Sequence, residues 1–188
     1  MRALAALVLL AAPAALAQPG DWRTLTPAAG VSVPLGGGFG PAWDTGVGFA
    51  LRIESPAYGG QARASLRAAR VEPREDGLPA FDALFPSLGW GAGLNLPGGL
   101  RLQGGPQLGT AYLRFEATDD FGGALQNETE LTVGAWARVE APVGGRVRAW
   151  AEAEAVRVAL RDPVTLTAAS AGLALRLDTP RWLRTVLR

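Results

Sequence analysis

The chain has 188 residues, the length of one domain, and its 17 acidic residues nearly balance its 18 basic residues. This balance lacks the positive surplus that nucleic acid binding requires, so we expect no nucleic acid partner. The sequence contains neither cysteine nor histidine. Disulfides, Ser-His-Asp or Cys-His catalysis and zinc sites with His or Cys ligands are therefore excluded. We expect a protein that is not an enzyme and that holds no metal or cofactor.

The N-terminal stretch has the pattern of a secretory signal peptide. Met1 and Arg2 are followed by an almost wholly apolar run over residues 3–16, and Ala15-Leu16-Ala17 is a small-x-small cleavage pattern. The run is too short for a typical membrane-spanning helix, although an uncleaved anchor is the alternative. We predict a signal peptide at residues 1–17, a barrel domain at 18–178 and a tail at 179–188.

Most of the remaining chain alternates apolar and polar residues with a period of two, which indicates β-strands. In residues 45–55, for example, Val47, Phe49 and Leu51 lie on one face while Arg52 and Glu54 lie on the other. Strands are predicted in residues 22–35, 45–55, 61–71, 87–96, 100–116, 130–141, 146–155 and 165–177. Within the fifth of these, Gly104-Gly105-Pro106 predicts a bulge or kink.

The predicted connections alternate in length. Long ones are expected at residues 36–44, 72–86 and 117–127, short ones at 56–60, 97–99 and 142–145, and a brief last one at Asp162-Pro163. Short turns on one side and long loops on the other are typical of membrane barrels. After residue 17 no apolar run is long enough for a membrane helix, so a membrane-embedded chain must close into a barrel. We predict an all-β fold, a closed antiparallel up-and-down transmembrane β-barrel of about eight strands.

The charged residues share one face of the strands, and we expect that face to line the barrel interior. Glycine and alanine alternate with arginine and tryptophan on it, which suits a narrow lumen filled by large and small side chains. The opposite face is nearly free of charge, as lipid contact requires. Trp136 and Trp150 are expected to fill space beside the charges. The alternative is a soluble periplasmic barrel that binds an apolar ligand, in which the two faces are exchanged.

Buried charges must pair, so we predict an ion network in the lumen. Arg138 and Glu140 are expected to face Arg148, Glu152 and Glu154 on the neighbouring strand. The candidate members are Arg52, Glu54, Arg63, Arg67, Arg101, Glu130, Arg138, Glu140, Arg148, Glu152, Glu154 and Arg176. This network is expected to fill the barrel; the alternative function is a narrow channel for ions or very small solutes.

The export signal, the eight alternating strands, the polar lumen and the short turns together resemble the small outer-membrane-protein β-barrel family of Gram-negative bacteria. This resemblance implies location in the outer membrane, contact with its lipids, both termini in the periplasm and a structural or surface-interaction role. We expect a monomer; the sequence indicates no protein partner. One departure is the lack of an aromatic residue ending the last strand. The tail instead predicts a short interfacial helix with Trp182, Leu183, Val186 and Leu187 on its apolar side.

Overall fold

The structure, a computed structural model, describes residues 22–116 and 127–186. The predicted signal peptide and most of the loop at 117–127 lie outside these residues. The strands are β1 Thr24–Gly36, β2 Trp43–Ala57, β3 Gly60–Pro73, β4 Phe81–Asn95, β5 Arg101–Phe115, β6 Glu128–Gly144, β7 Val147–Val158, β8 Val164–Leu175 and the two-residue β9 Leu177–Asp178. A 3-10 turn spans Pro97–Gly99, and a short helix, α1, spans Arg181–Val186.

Strands β1 to β8 form a closed barrel, as the sequence predicts. Each strand pairs antiparallel with the next, and β8 pairs back onto β1 from Ala28↔Ala174 to Gly36↔Thr167. Three tight connections, near residues 58–59, 96–100 and 145–146, lie at one end of the barrel, here called the turn end. Strands β2, β4, β6 and β8 begin at the opposite end, here called the loop end. Since β1 starts and β9 finishes at the turn end, the two ends of the described chain meet there.

Two local predictions are wrong. Strand β4 begins at Phe81, so the second half of the predicted loop at 72–86 is strand. Pro86, the last residue of that predicted loop, pairs with Leu66 inside a continuous ladder and is exposed on the outer face. The predicted bulge at Gly104-Gly105-Pro106 is absent, because β5 keeps a single register with both β4 and β6. A side chain at Gly105 would lie 2.0 Å from the carbonyl oxygen of Trp90, so glycine here permits close strand approach instead.

The outer surface of the barrel is apolar. Leu51 and Val133 are 45% and 55% exposed, and exposed apolar side chains also lie on β1, β4, β5 and β8. Further exposed apolar side chains are Val31, Val47, Phe49, Ile53, Leu88, Leu94, Leu102, Leu108, Leu131, Val139, Leu173 and Leu175. An apolar band of this extent is unstable in water and stable against lipid tails. The interpretation as a soluble barrel with an apolar interior is therefore wrong.

The chain after β8 returns to the barrel rim. Leu177 and Asp178 pair with Leu25 and Thr24 of β1, and α1 follows. The predicted tail helix is thus present, with Trp182 exposed on it. Within residues 22–116 and 127–186, no helix is long and apolar enough to cross a bilayer.

Candidate functional site in the barrel lumen

The lumen is packed with apolar side chains at its loop end. Phe81 lies at the centre of this group and meets Phe39 edge-on at 5.1 Å and Phe115 at 4.9 Å between ring centroids. The indole nitrogen of Trp43 donates to the carbonyl of Pro79 at 3.3 Å. The buried members, here called the loop-end plug, are Val71, Phe81, Ala83, Phe85, Ala111, Leu113, Val158 and Leu166. This apolar layer differs from the polar lumen that the sequence predicts.

Below the plug, Arg138 of β6 and Glu54 of β2 form a buried ion pair across the barrel. Both terminal nitrogens of Arg138 donate to the Glu54 carboxylate, one to each oxygen. The two side chains are 0% and 1% exposed. Two parallel charge-assisted hydrogen bonds give this pair a fixed geometry as well as charge compensation.

Two further glutamates of β7 each meet arginines from the opposite wall. Glu152 accepts from Arg52 at 2.5 Å and from Arg63 at 2.8 Å. Glu154 pairs with Arg67. The predicted partners were the residues of neighbouring β6, but the actual contacts cross the lumen to β2 and β3. An inward-facing arginine is long enough to span a barrel of eight strands. The predicted contact between β6 and β7 does form at Arg148 and Glu140.

Amide side chains complete the hydrogen bonding of this layer, and they are not among the predicted network residues. Gln61 donates to Glu54 at 3.2 Å and accepts from Gln103 at 3.1 Å. The oxygen of Gln103 accepts in turn from Arg138. The alternation pattern places these residues on the inward face of their strands, and this signal could have identified them as part of the layer.

Two tryptophans hold the arginines in place. The guanidinium of Arg52 lies 3.7 Å from the ring centroid of Trp150, and that of Arg63 lies 4.4 Å from the ring centroid of Trp136. Such stacking is a cation–π contact, which is strongest where water is excluded. Trp136 has room because Gly91 lies beneath it, where an added Cβ would be only 2.6 Å from the ring.

At the turn end the lumen opens into a cavity of about 450 Å³, here called the turn-end mouth. Arg148 donates to Glu140 at 3.2 Å and to the carbonyl of Gly99 at 2.7 Å. Glu140 also forms an ion pair with Arg138 at 3.0 Å. Arg101 and Arg176 line the same cavity and make no ion pair within the described residues.

The structure therefore brings together most, but not all, of the predicted network residues. Nine of them form three separate sets of contacts: Arg52 and Arg63 with Glu152; Arg67 with Glu154; and Arg138 and Arg148 with Glu54 and Glu140. Arg101 and Arg176 lie apart in the turn-end mouth. Glu130 lies near the loop end, half-buried, with no ion pair to the described residues.

The loop-end rim carries exposed ion pairs of a different kind. Arg74 donates to Asp44, and this hydrogen bond lowers the pKa of the Asp44 carboxyl below its usual value. Arg70 contacts Glu72 at 2.9 Å and Asp82 at 3.3 Å. Pairs this exposed contribute little to stability because water screens them.

The described part of the lumen has no group of side chains arranged to hold a metal ion. No group of three or more potential ligands among Asp and Glu side chains there could hold a metal ion. Glu152 and Glu154 accept from arginines, so their carboxylates are engaged in ion pairs.

Comparison with solved structures identifies the fold. Neisserial surface protein A matches with a TM-score of 0.54 and 12% identity over 86% of this chain and 100% of its own. The Yersinia pestis attachment invasion locus protein Ail matches with a TM-score of 0.54 and 16% identity over 85% of this chain and 100% of its own. The outer membrane protein OprG from Pseudomonas aeruginosa matches with a TM-score of 0.57 and 9% identity over 86% of this chain and 99% of its own. No protein-family model matches the chain. No curated protein matches it either. The shared fold is that of small eight-stranded outer-membrane β-barrels.

Proposed function

We propose that this outer-membrane β-barrel is a closed, non-enzymatic envelope protein whose lumen is filled by side chains and whose role is structural or surface-interacting. The main support for the proposal is the small volume that the side chains of the ion network leave empty. The cavity lined by Arg63, Arg67 and Glu152 has a volume of only about 10 Å³. That is about one water probe, too little for a continuous column of water.

The loop-end plug supports the same conclusion independently. A hydrated ion that passed the arginine layer would next meet Phe81, Phe85 and Leu113, which offer no polar group. Arg67 stacks on Phe85 with its guanidinium carbon 4.1 Å from the ring centroid, so the two layers are in direct contact. The lumen is thus closed twice, once by charge pairing and once by apolar packing.

Planar-bilayer conductance tests the closed lumen. The full chain, with folding verified by heat-modifiable gel migration, is expected to give no steady current under conditions where a general porin conducts. Reproducible unitary currents from the folded protein would overturn the proposal and assign the barrel to narrow channels.

A complementation experiment separates the structural from the surface-interacting role. A deletion strain is expected to become more sensitive to detergents that the outer membrane normally excludes. Its complementation uses the natural chain and a variant in which residues 74–80 are replaced by a Gly-Ser linker. Equal rescue by both assigns the function to the barrel, and rescue by the natural chain alone assigns it to the loop end. Unchanged sensitivity of the deletion strain would contradict an envelope role.

A further inference from the structure

The charges of the lumen are balanced in its middle and unbalanced at its turn end. Four glutamates of the network (Glu54, Glu140, Glu152 and Glu154) are matched by four buried arginines (Arg52, Arg63, Arg67 and Arg138). The turn-end mouth then adds Arg101, Arg148 and Arg176. No acidic residue other than Glu140 lines this cavity.

The one carboxylate that lines the cavity pairs with two other arginines. One oxygen of Glu140 pairs with Arg138 at 3.0 Å, and its other oxygen pairs with Arg148 at 3.2 Å. Arg101 and Arg176 make no ion pair with a carboxylate among the described residues. Arg146 and Asp178, by contrast, neutralise each other nearby at 3.2 Å.

The cavity also has the polar groups and the room that a small anion needs. It is lined by the hydroxyls of Thr24 and Thr26 and by the amides of Gln61 and Asn95, and it opens at the turn end. Its volume of about 450 Å³ falls in the range of small-molecule pockets. The planar guanidinium fork matches the oxygens of a phosphoryl group better than any other basic side chain.

We propose that the turn-end mouth binds a small water-soluble phosphate-bearing dianion. Two unpaired guanidiniums match the charge of a dianion, and Arg148 is placed beside them. Arg101 and Arg148 occupy inward positions of β5 and β7, and Arg176 directly follows β8 and lines the same cavity. The ligand therefore comes from the aqueous compartment at the chain termini, which is the periplasm, and not from a phospholipid headgroup.

Titration of inorganic phosphate into the folded full chain in a non-ionic detergent tests this site. The double variant Arg101→Gln/Arg176→Gln is expected to weaken phosphate binding about tenfold or more, since each lost contact is a charged hydrogen bond. Arg157→Gln/Arg161→Gln is the matched control, because it removes the same charge from exposed residues toward the loop end. Its affinity for phosphate is expected to equal that of the natural chain.

Two further measurements distinguish loss of the site from misfolding and an aqueous ligand from a lipid headgroup. Arg176→Gln alone changes an exposed side chain, so a loss of affinity in this variant cannot be attributed to misfolding. Phosphate affinity in nanodiscs is expected to be the same with zwitterionic and with anionic phospholipids. A clear loss of affinity in the anionic nanodiscs would overturn the aqueous source, because the headgroup would then compete for the site. Equal phosphate affinity of the natural chain and the Arg101→Gln/Arg176→Gln variant would overturn the site itself.

Discussion

Arg138 and Glu54 meet in the middle of the barrel, joined by two parallel hydrogen bonds from strands on opposite walls, β6 and β2. Neither side chain reaches solvent. The pair links two strands that share no backbone pairing, so it braces the barrel across its diameter. It is also the layer through which any permeating ion would have to pass.

The first prediction concerns this pair. Arg138→Met leaves Glu54 buried with only the amide of Gln61 as a partner, and we expect it to lower the free energy of unfolding by about 3 to 5 kcal/mol. The double variant Arg138→Met/Glu54→Leu removes both charges and should be more stable than the single variant. Urea unfolding in phospholipid vesicles, followed by tryptophan fluorescence, measures both variants and the single variant Glu54→Leu. A double variant whose loss equals the sum of the two single losses would contradict the coupling.

An exposed pair provides the control for that experiment. Arg74 and Asp44 make a similar contact at the loop-end rim, but their side chains are 57% and 61% exposed. Arg74→Met is therefore expected to change the free energy of unfolding by less than about 1 kcal/mol.

A second prediction concerns the fit of tryptophan against glycine in the lumen. An added Cβ at Gly91 would lie 2.6 Å from the Trp136 ring and 2.8 Å from the carbonyl oxygen of Gly104. Gly91→Ala is thus expected to lower the free energy of unfolding by about 1 to 3 kcal/mol through overpacking. Gly144→Ala, where nothing lies within 4 Å, should be nearly neutral. Equal effects of the two substitutions in the urea experiment would argue against tight packing around Trp136.

A third prediction concerns the lipid-facing surface. Leu51 lies at the middle of β2 and points outward, so Leu51→Arg is expected to destabilise the folded barrel by about 2 to 4 kcal/mol. Thr165→Arg, near the loop-end start of β8, should change the same quantity by about 1 kcal/mol or less. Folding into vesicles, with urea titration, gives both values. If arginine were tolerated equally at the two positions, Leu51 would not face the bilayer core.

The sequence predicts the strands of this barrel and their two faces better than it predicts the side-chain contacts in the lumen. Strict alternation, as in Leu131, Val133 and Ala135 against Thr132 and Gly134, reports the two faces of a strand because the side-chain period is two. The position of the charges then predicts which face of each strand points into the lumen, and the exposure of Leu51 and Val133 on the other face agrees with this prediction. A proline such as Pro86 obscured the pattern, since it is commonly a strand terminator but is tolerated at a position facing outward.

Contacts across the lumen were beyond sequence reasoning. Which arginine reaches Glu152 depends on the tilt of the strands and on their register around the closed barrel, and neither quantity is local. The same holds for the loop-end plug, where Phe81, Ala111 and Val158 come from strands far apart in the chain. Phe81 falls in the predicted loop at 72–86 and Val158 lies beyond the predicted strand at 146–155, so the alternation pattern could not place them in the lumen.

The most direct test of the closed, charge-filled lumen is the reactivity of two single cysteines in the otherwise cysteine-free chain. Ser170→Cys is nearly isosteric and lies in the lumen 6% exposed, whereas Val133→Cys lies on the outer surface. In folded protein in vesicles, Val133→Cys should react with a lipid-soluble maleimide, and Ser170→Cys should react with neither that reagent nor a charged methanethiosulfonate. Both thiols should react once urea unfolds the chain. Rapid labelling of folded Ser170→Cys by the charged reagent would show a water-filled lumen and contradict the account.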